Sequence, residues 1–152
     1  TSYLLIMKTD LVVTGFIFHN NKVLLIHHNK LNLWLPVGGH IEKDENPDDA
    51  LTREIKEETS LDIEILPKSN IKEIGNTKRV LANPFHVSIH SVGDHDHCSF
   101  FYVCKALNPE SLYINNELKN YRWLTKEELL KDNSVPIDVK NITIEAFRII
   151  SQ

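Results

Sequence analysis

The apolar positions fall into short β-type runs set around helical periods. Leu11 to Phe18 and Val23 to His28 are β-branched and apolar, and His19-Asn20-Asn21-Lys22 between them predicts a hairpin. Trp34-Leu35-Pro36-Val37 then leads into Gly38-Gly39, where two residues without a Cβ let backbone approach a ligand closely. Pro47 fixes the first turn of a helix expected from Pro47 to Thr59. Beyond it, Asp62 to Leu66, Val80 to His90 with an internal Pro84, Cys98 to Ala106 and Tyr121 to Leu124 read as strands, and Gly93-Asp94 marks a tight connection. Thr125-Lys126-Glu127-Glu128 carries an N-cap with a capping box, and Ile137 to Ile150 has a longer helical period. Residues 1–10 read as an N-terminal extension or a first strand, and Thr1 to Ile6 carry no functional weight. The pattern predicts a mixed α/β domain.

Composition narrows this picture. With 152 residues, 41% of them apolar, the chain suits a single domain spanning residues 1–152 with a real core. A net charge of −4 provides no broad cationic field, so duplex nucleic acid is not an expected partner. Tyr3 to Met7 is a short apolar run without a cationic lead, so neither a signal peptide nor a membrane span is expected. Cys98 and Cys104 share one predicted strand roughly 20 Å apart, too far for a disulfide, which favours a reducing, cytoplasmic compartment. A homodimer is left open as the assembly.

Candidate chemistry concentrates in the first helix. Glu54, Glu57 and Glu58 stand at i, i+3 and i+4, so their carboxylates fall within an arc of roughly 100°. Like charges at this spacing cost a helix a few tenths of a kcal/mol per pair and call for a compensating cation. Arg53, at i, i+4 from Glu57, supplies one, and its expected role is to orient Glu57. A hard divalent ion, Mg²⁺ or Mn²⁺, matches the remaining charge, with Glu57 and Glu58 as principal ligands. A solvated acidic face is the plainer explanation of such a stretch. The helical wheel opposes it, because Leu51 and Ile55 define the apolar stripe and the three glutamates border it, while Thr52 and Lys56 lie opposite.

From Gly39 the chain runs through five residues to Glu45, seven more to Arg53-Glu54, and on through Ile55, Lys56, Glu57-Glu58, Thr59 and Ser60 to Leu61. This resembles the box of the Nudix hydrolases, over 23 of 152 residues, with Ser60 where the family has glycine. The departure falls where glycine usually caps a helix in the left-handed conformation, so the cap geometry is the feature it calls into question. The resemblance implies an α/β/α sandwich around a mixed sheet, a pyrophosphohydrolase acting on a small nucleotide or diphosphate substrate, and a Mg²⁺ or Mn²⁺ cofactor. It also implies Glu54 as metal ligand or water-activating base and the Gly39 carbonyl as a further ligand. Glu57 joins Glu54 and Arg53 in the catalytic set, and Glu45 is either an outer partner or exposed.

Outside the box the indications are fewer. The family often adds an acidic residue on a later loop, for which Glu117 is the candidate, with a solvated glutamate as the alternative. Gly38, Gly39, His27 and Trp34 are the candidate substrate contacts. For His27, with His28 and Lys30, a surface role is the alternative, and for Trp34 a core or hinge aromatic. Asp94-His95-Asp96-His97-Cys98 sets His95 and His97 on one strand face but lacks the spacing of a structural zinc site, so it reads as a polar hairpin end. His86 and His90 read as separate strand residues. No additional substrate signature of the family is in place, and Pro84 lies later than the ADP-ribose pattern expects. Two other classes remain in view: a Nudix-like binding module without catalysis, against which the retained carboxylates argue, and a relative of the isopentenyl diphosphate isomerases, which needs a reactive cysteine.

Overall fold

A two-residue turn at Asn20 and Asn21, with φ of 50° and 60°, joins β1 (Thr9–His19) to β2 (Lys22–His28). Asparagine tolerates the left-handed region, and a turn of this hand matches the twist of the strands it connects. The structure, a computed structural model, describes residues 7–152, so the expectation for Thr1 to Ile6 lies outside the described residues. Thr9 and Asp10 belong to β1 rather than to an extension.

β3 (Trp34–Leu35) pairs with β2, and β4 (Val37–His40) pairs antiparallel with the first half of β1. The box helix α1 spans Pro47–Thr59, as expected. β5 (Ile63–Leu66), β6 (His86–Ser91), β7 (Asp96–Ala106) and β8 (Leu118–Leu124) follow, then α2 (Lys126–Lys131) and α3 (Ile137–Ile150). The central order is β3-β2-β1-β7-β5, with β4 on β1, β6 on β7 and β8 on β2; β1 and β7 run parallel and the other pairs antiparallel.

Alternation along β1 builds two cores. Val13 and Ile17 pack with Leu51 and Ile55 of α1, while Phe16 and Phe18 pack with Val139 and Phe147 of α3. Full burial of Leu51 and Ile55 removes both side chains from water, worth about 1.5–3 kcal/mol each. The mixed sheet is thus covered on both faces, the expected α/β/α sandwich.

One strand expectation is corrected. Val80 to Phe85 is irregular, and β6 begins only at His86. The backbone N–H groups of this stretch are claimed elsewhere: Val80 donates to Glu73 Oε1 and Ala82 to Asp48 Oδ2, and Pro84 has none to give. The Cys98 strand starts two residues earlier and the Tyr121 strand three residues earlier than expected. Among the described residues no helix is long and apolar enough to cross a membrane.

Candidate active site

α1 is set at both ends by local chemistry. Asn46 caps it, its Oδ1 accepting from the Asp49 N–H at 2.9 Å, Pro47 opens the first turn, and Asp48 and Asp49 complement the helix dipole there. At the other end Ser60 adopts φ 63° and ψ 9°, and its N–H donates to the Lys56 carbonyl. The left-handed cap survives without the glycine, and Ser60 Oγ donates to the Tyr113 carbonyl at 3.3 Å.

Arg53 organises the acidic face. Its Nε and Nη2 donate to the two oxygens of Glu45 at 2.8 and 2.9 Å, and its Nη1 donates to Glu54 Oε1 at 2.9 Å. The expected Glu57 contact exists but is the longest of these, 3.4 Å, so the first partners of Arg53 are Glu45 and Glu54. Glu45 is therefore a bidentate partner of the guanidinium, which holds its carboxyl down at about 2, and the pairing raises Arg53 further above its already high value. Nη2 also donates to the His40 carbonyl at 3.0 Å, tying β4 to the helix.

Glu58 differs from its neighbours. Only 8% of it is exposed, and its Oε2 is buried with no hydrogen-bond partner among the described residues. Burial first, then the charge of Glu54 and a side-chain hydrogen bond with it, then the charges of Glu117 and Glu57, pushes its carboxyl up to about 8. Glu57 remains largely open to solvent. Gly39 lies against the same group: a Cβ there would stand 2.3 Å from Glu54 Cδ, so the carboxylate occupies space a side chain would fill. At Gly38 a Cβ would meet the Val13 carbonyl oxygen at 2.1 Å, which makes that glycine a requirement of the β1–β4 ladder.

The loop before β8 folds back onto the end of α1. The Asn115 N–H donates to the Glu58 carbonyl at 3.1 Å, Asn115 Nδ2 to the Glu57 carbonyl at 3.4 Å, and the Glu117 N–H to Asn115 Oδ1 at 3.1 Å. Glu117 is thereby brought near enough to Glu58 to act on its titration. Nothing local in the sequence marked Asn115 for this part.

His27 and Trp34 form a group of their own. They are partners across β2 and β3 with ring centroids 5.0 Å apart, Arg122 lies 5.4 Å over the indole, and Trp34 packs against the core on the α3 side. Among the described contacts neither meets the box glutamates; His28, one residue on, is the histidine that senses Glu117. A cavity of about 730 Å³ lies at the N-terminal end of α1 between Asp48, Ile63, Lys68, Lys72 and Ala82, and no box glutamate lines it.

On the other face of the sheet, His95 and His97 stand at the hairpin end expected for them, but not alone. Asp10 of β1 and His40 of β4 join them, residues that sequence spacing gives no reason to connect. Burial, with His40 and His95 alongside, holds His97 below the ordinary imidazole value.

The donors on α1 fit a hard divalent cation. They are carboxylate oxygens, one of them buried and unpartnered, and a positive ion would relieve both the repulsion and the desolvation that raise Glu58.

Comparison with known proteins bears on the family and the fold. A family model described as NUDIX domain matches residues 8–143. A hydrolase of the NUDIX family from Clostridium perfringens superposes with a TM-score of 0.81 at 30% identity, covering 93% of this chain and 97% of that one. The MutT protein from Methanosarcina mazei has a TM-score of 0.76 at 14% identity over 97% of this chain and 99% of that one. An Ap4A hydrolase from C. elegans has a TM-score of 0.67 at 16% identity over 93% and 95% of the two chains. The last two show likeness of fold alone.

Proposed function

The chain belongs to the NUDIX family and is a Nudix pyrophosphohydrolase, and from that premise we propose that it requires Mg²⁺ or Mn²⁺ and cleaves a diphosphate linkage in a nucleoside diphosphate derivative or a nucleoside triphosphate. The observation that carries the metal requirement is the buried, unpartnered Oε2 of Glu58 beside Glu54 and Glu57. Glu57 and Glu58 are the principal ligands in this reading, with Glu54, the Gly39 carbonyl and Glu117 completing the set. When bound, the ion neutralises charge on the diphosphate oxygens and lowers the pKa of a coordinated water.

The chain's own residues do the rest. Arg53 fixes the Glu54 carboxylate against Gly39, which orients it to accept the proton of an attacking water. The water oxygen bonds to phosphorus, the bridging P–O bond breaks, and two phosphate-bearing products leave. Gly38 and Gly39 leave room for the diphosphate. His27 and Trp34, on their own side of the sheet, fit a contact to a remote part of the substrate better than one to the reacting phosphorus. The isomerase alternative loses support from Cys104, a fully buried thiol that burial pushes well above its ordinary value, which makes it a poor nucleophile or acid.

The test is release of phosphate or pyrophosphate, with a phosphatase coupled in for monoester products. The panel comprises nucleoside triphosphates, nucleotide sugars, ADP-ribose, dinucleotides and dinucleoside polyphosphates, each with Mg²⁺, Mn²⁺ or chelator. Turnover that chelator abolishes is the expected result, and the best substrate names the class. Turnover undiminished by chelator overturns the metal requirement.

A further inference from the structure

We propose that Asp10, His40, His95 and His97 form a second metal site, built for a borderline transition-metal ion of the zinc type and separate from the carboxylate site. It does not depend on the hydrolytic reading above.

Placement follows from the sheet. Asp10 pairs with His97 across the parallel β1–β7 ladder, and His40 pairs with Val12, which shares a face with Asp10. This is the face that carries Phe16, Phe101 and α3, opposite the box helix. His95, just before β7, reaches the same point from the β6–β7 turn.

Three of the six separations are those of a coordination shell, and His95 joins through Asp10 and His97. Asp10 Oδ2 lies 3.3 Å from His40 Nε2 and 3.4 Å from His95 Nε2, and the Nε2 atoms of His95 and His97 are 3.2 Å apart. Each of Asp10, His40 and His97 offers one ligand atom within 4.8 Å of the others. A tetrahedral zinc with bonds of about 2.0–2.1 Å has ligand-to-ligand edges of about 3.3–3.4 Å, 1.63 times the bond length. Three edges of such a tetrahedron are therefore already drawn.

A second observation concerns the outer contacts. His95 Nδ1 is 2.7 Å from Asp94 Oδ1, so a neutral His95 carries its proton on Nδ1 and turns the lone pair of Nε2 inward. This is the carboxylate–histidine–metal arrangement that orients a ligand ring. It also sets two lone-pair atoms, His95 Nε2 and Asp10 Oδ2, face to face at 3.4 Å, a contact that a cation between them makes favourable. Asp10 Oδ1 is turned away, 3.7 Å from Lys8 Nζ. His90, the next histidine on this face, is engaged by Ser88 and Asp138 and stands outside the set.

Such an ion clamps the start of β1, the end of β4 and the β6–β7 turn. Imidazole nitrogen suits zinc, whereas Mg²⁺ keeps to oxygen donors, so the two sites select different metals.

The experiment is competition for Zn²⁺ against a chromophoric chelator, with the full chain in saturating Mg²⁺, alongside the visible spectrum of the Co²⁺-substituted protein. One equivalent of Zn²⁺ is expected, with the intense absorption of tetrahedral Co²⁺. His97→Gln and Asp10→Asn should each weaken Zn²⁺ by at least about tenfold to a hundredfold, the loss that follows removal of even an outer partner, while Glu57→Gln leaves it unchanged. Circular dichroism verifies that each variant is folded, and the wild-type spectrum decides the question if one is not. No Zn²⁺ bound under Mg²⁺, a six-coordinate Co²⁺ spectrum, or Zn²⁺ binding lost in Glu57→Gln and kept in His97→Gln overturns the proposal.

Discussion

Gly39 and His40 are neighbours on one strand and face opposite sides of the sheet, Gly39 toward the glutamates of α1 and His40 toward Asp10, His95 and His97. In both places burial works against charge, and it reverses the usual order of titration: Glu58 is pushed up to about 8 while His97 is brought below its ordinary 6.5. The carboxylate face keeps a buried oxygen of Glu58 without a partner among the described residues, whereas on the histidine face Asp10 meets His40 and His95, and His95 meets His97. A deficit of positive charge on oxygen donors invites a hard ion from solution; converging nitrogen lone pairs invite a softer one that stays. One four-residue strand thus separates two groups of candidate metal donors by the alternation of its side chains.

The sharpest way to separate the two faces is Glu57→Gln. On the proposed assignment the variant loses one ligand to the ion and with it several kcal/mol of transition-state stabilisation, so turnover at saturating Mg²⁺ should fall by about 10³-fold. The fold should be retained, because the Glu57 side chain is largely exposed and its described tie is a 3.4 Å contact to Arg53, while the bond from Asn115 is to the Glu57 backbone carbonyl, which the substitution leaves in place. Wild-type turnover in this variant sinks the assignment of the carboxylates.

Gly39→Ala probes the shared strand. The new Cβ overlaps the Glu54 carboxyl, which must turn away and give up its 2.9 Å contact with Arg53. Displacement of a reacting group by an ångström costs on the order of 10²-fold, so kcat should drop by about that much with little change in melting temperature. Gly38→Ala behaves differently, since its Cβ meets backbone that cannot swing aside, and it should lower stability itself. Equal losses of stability in the two variants mean that Gly39 serves the fold rather than the site.

The parts of this arrangement legible in the sequence are the local ones. The bounds of α1 follow from Pro47, the i, i+3, i+4 glutamates and the apolar stripe, all within thirteen residues. The hairpin at Asn20-Asn21 is equally self-contained. Val80 to Phe85 departs from the strand its residues predict because the N–H groups of Val80 and Ala82 bond to Glu73 and Asp48, carboxylates seven and thirty-four residues away. Spacing on the helix points Arg53 toward Glu57, yet Glu45 holds it more closely, because the loop between His40 and the Asn46 cap brings Glu45 back to the helix and a wheel takes no account of loops. The histidine group was illegible for the same reason: its members come from the ends of three chain segments, and only the ladder registers bring residues 10, 40 and 97 to one face.

A pH series tests the reversal of titration on the carboxylate side. Unfolded, Glu58 titrates at its ordinary 4.5; folded and without metal, at about 8. Between these values the native state holds a proton that the unfolded chain has lost, so the stability this group confers is complete below about 4.5 and disappears as pH rises through 8. Mg²⁺ must displace that proton, so the rise in melting temperature on adding Mg²⁺ should grow from pH 6 to pH 9, values chosen as roughly two units below and one above the folded pKa. Glu58→Gln should flatten the trend. A Mg²⁺ shift that shrinks with pH contradicts the buried, protonated carboxyl.

Ser60→Gly is the smallest change and the control that should disturb neither face. A side chain in the left-handed region costs about 1–2 kcal/mol, and glycine relieves it while adding about 0.4–1 kcal/mol of freedom to the unfolded chain. The 3.3 Å contact from Ser60 Oγ to the Tyr113 carbonyl is lost, but it is long and exposed and contributes little. The balance favours the variant by up to about 1 kcal/mol, a few degrees in melting temperature for a domain of this size. Because the cap's N–H to the Lys56 carbonyl is backbone to backbone, α1 keeps its end, and with it the positions of Glu57 and Glu58. Turnover and zinc affinity should therefore match the wild type. A variant that melts higher but turns over more slowly would mean that Ser60 positions the loop through Tyr113, and that the end of the box helix belongs to the site rather than to the fold.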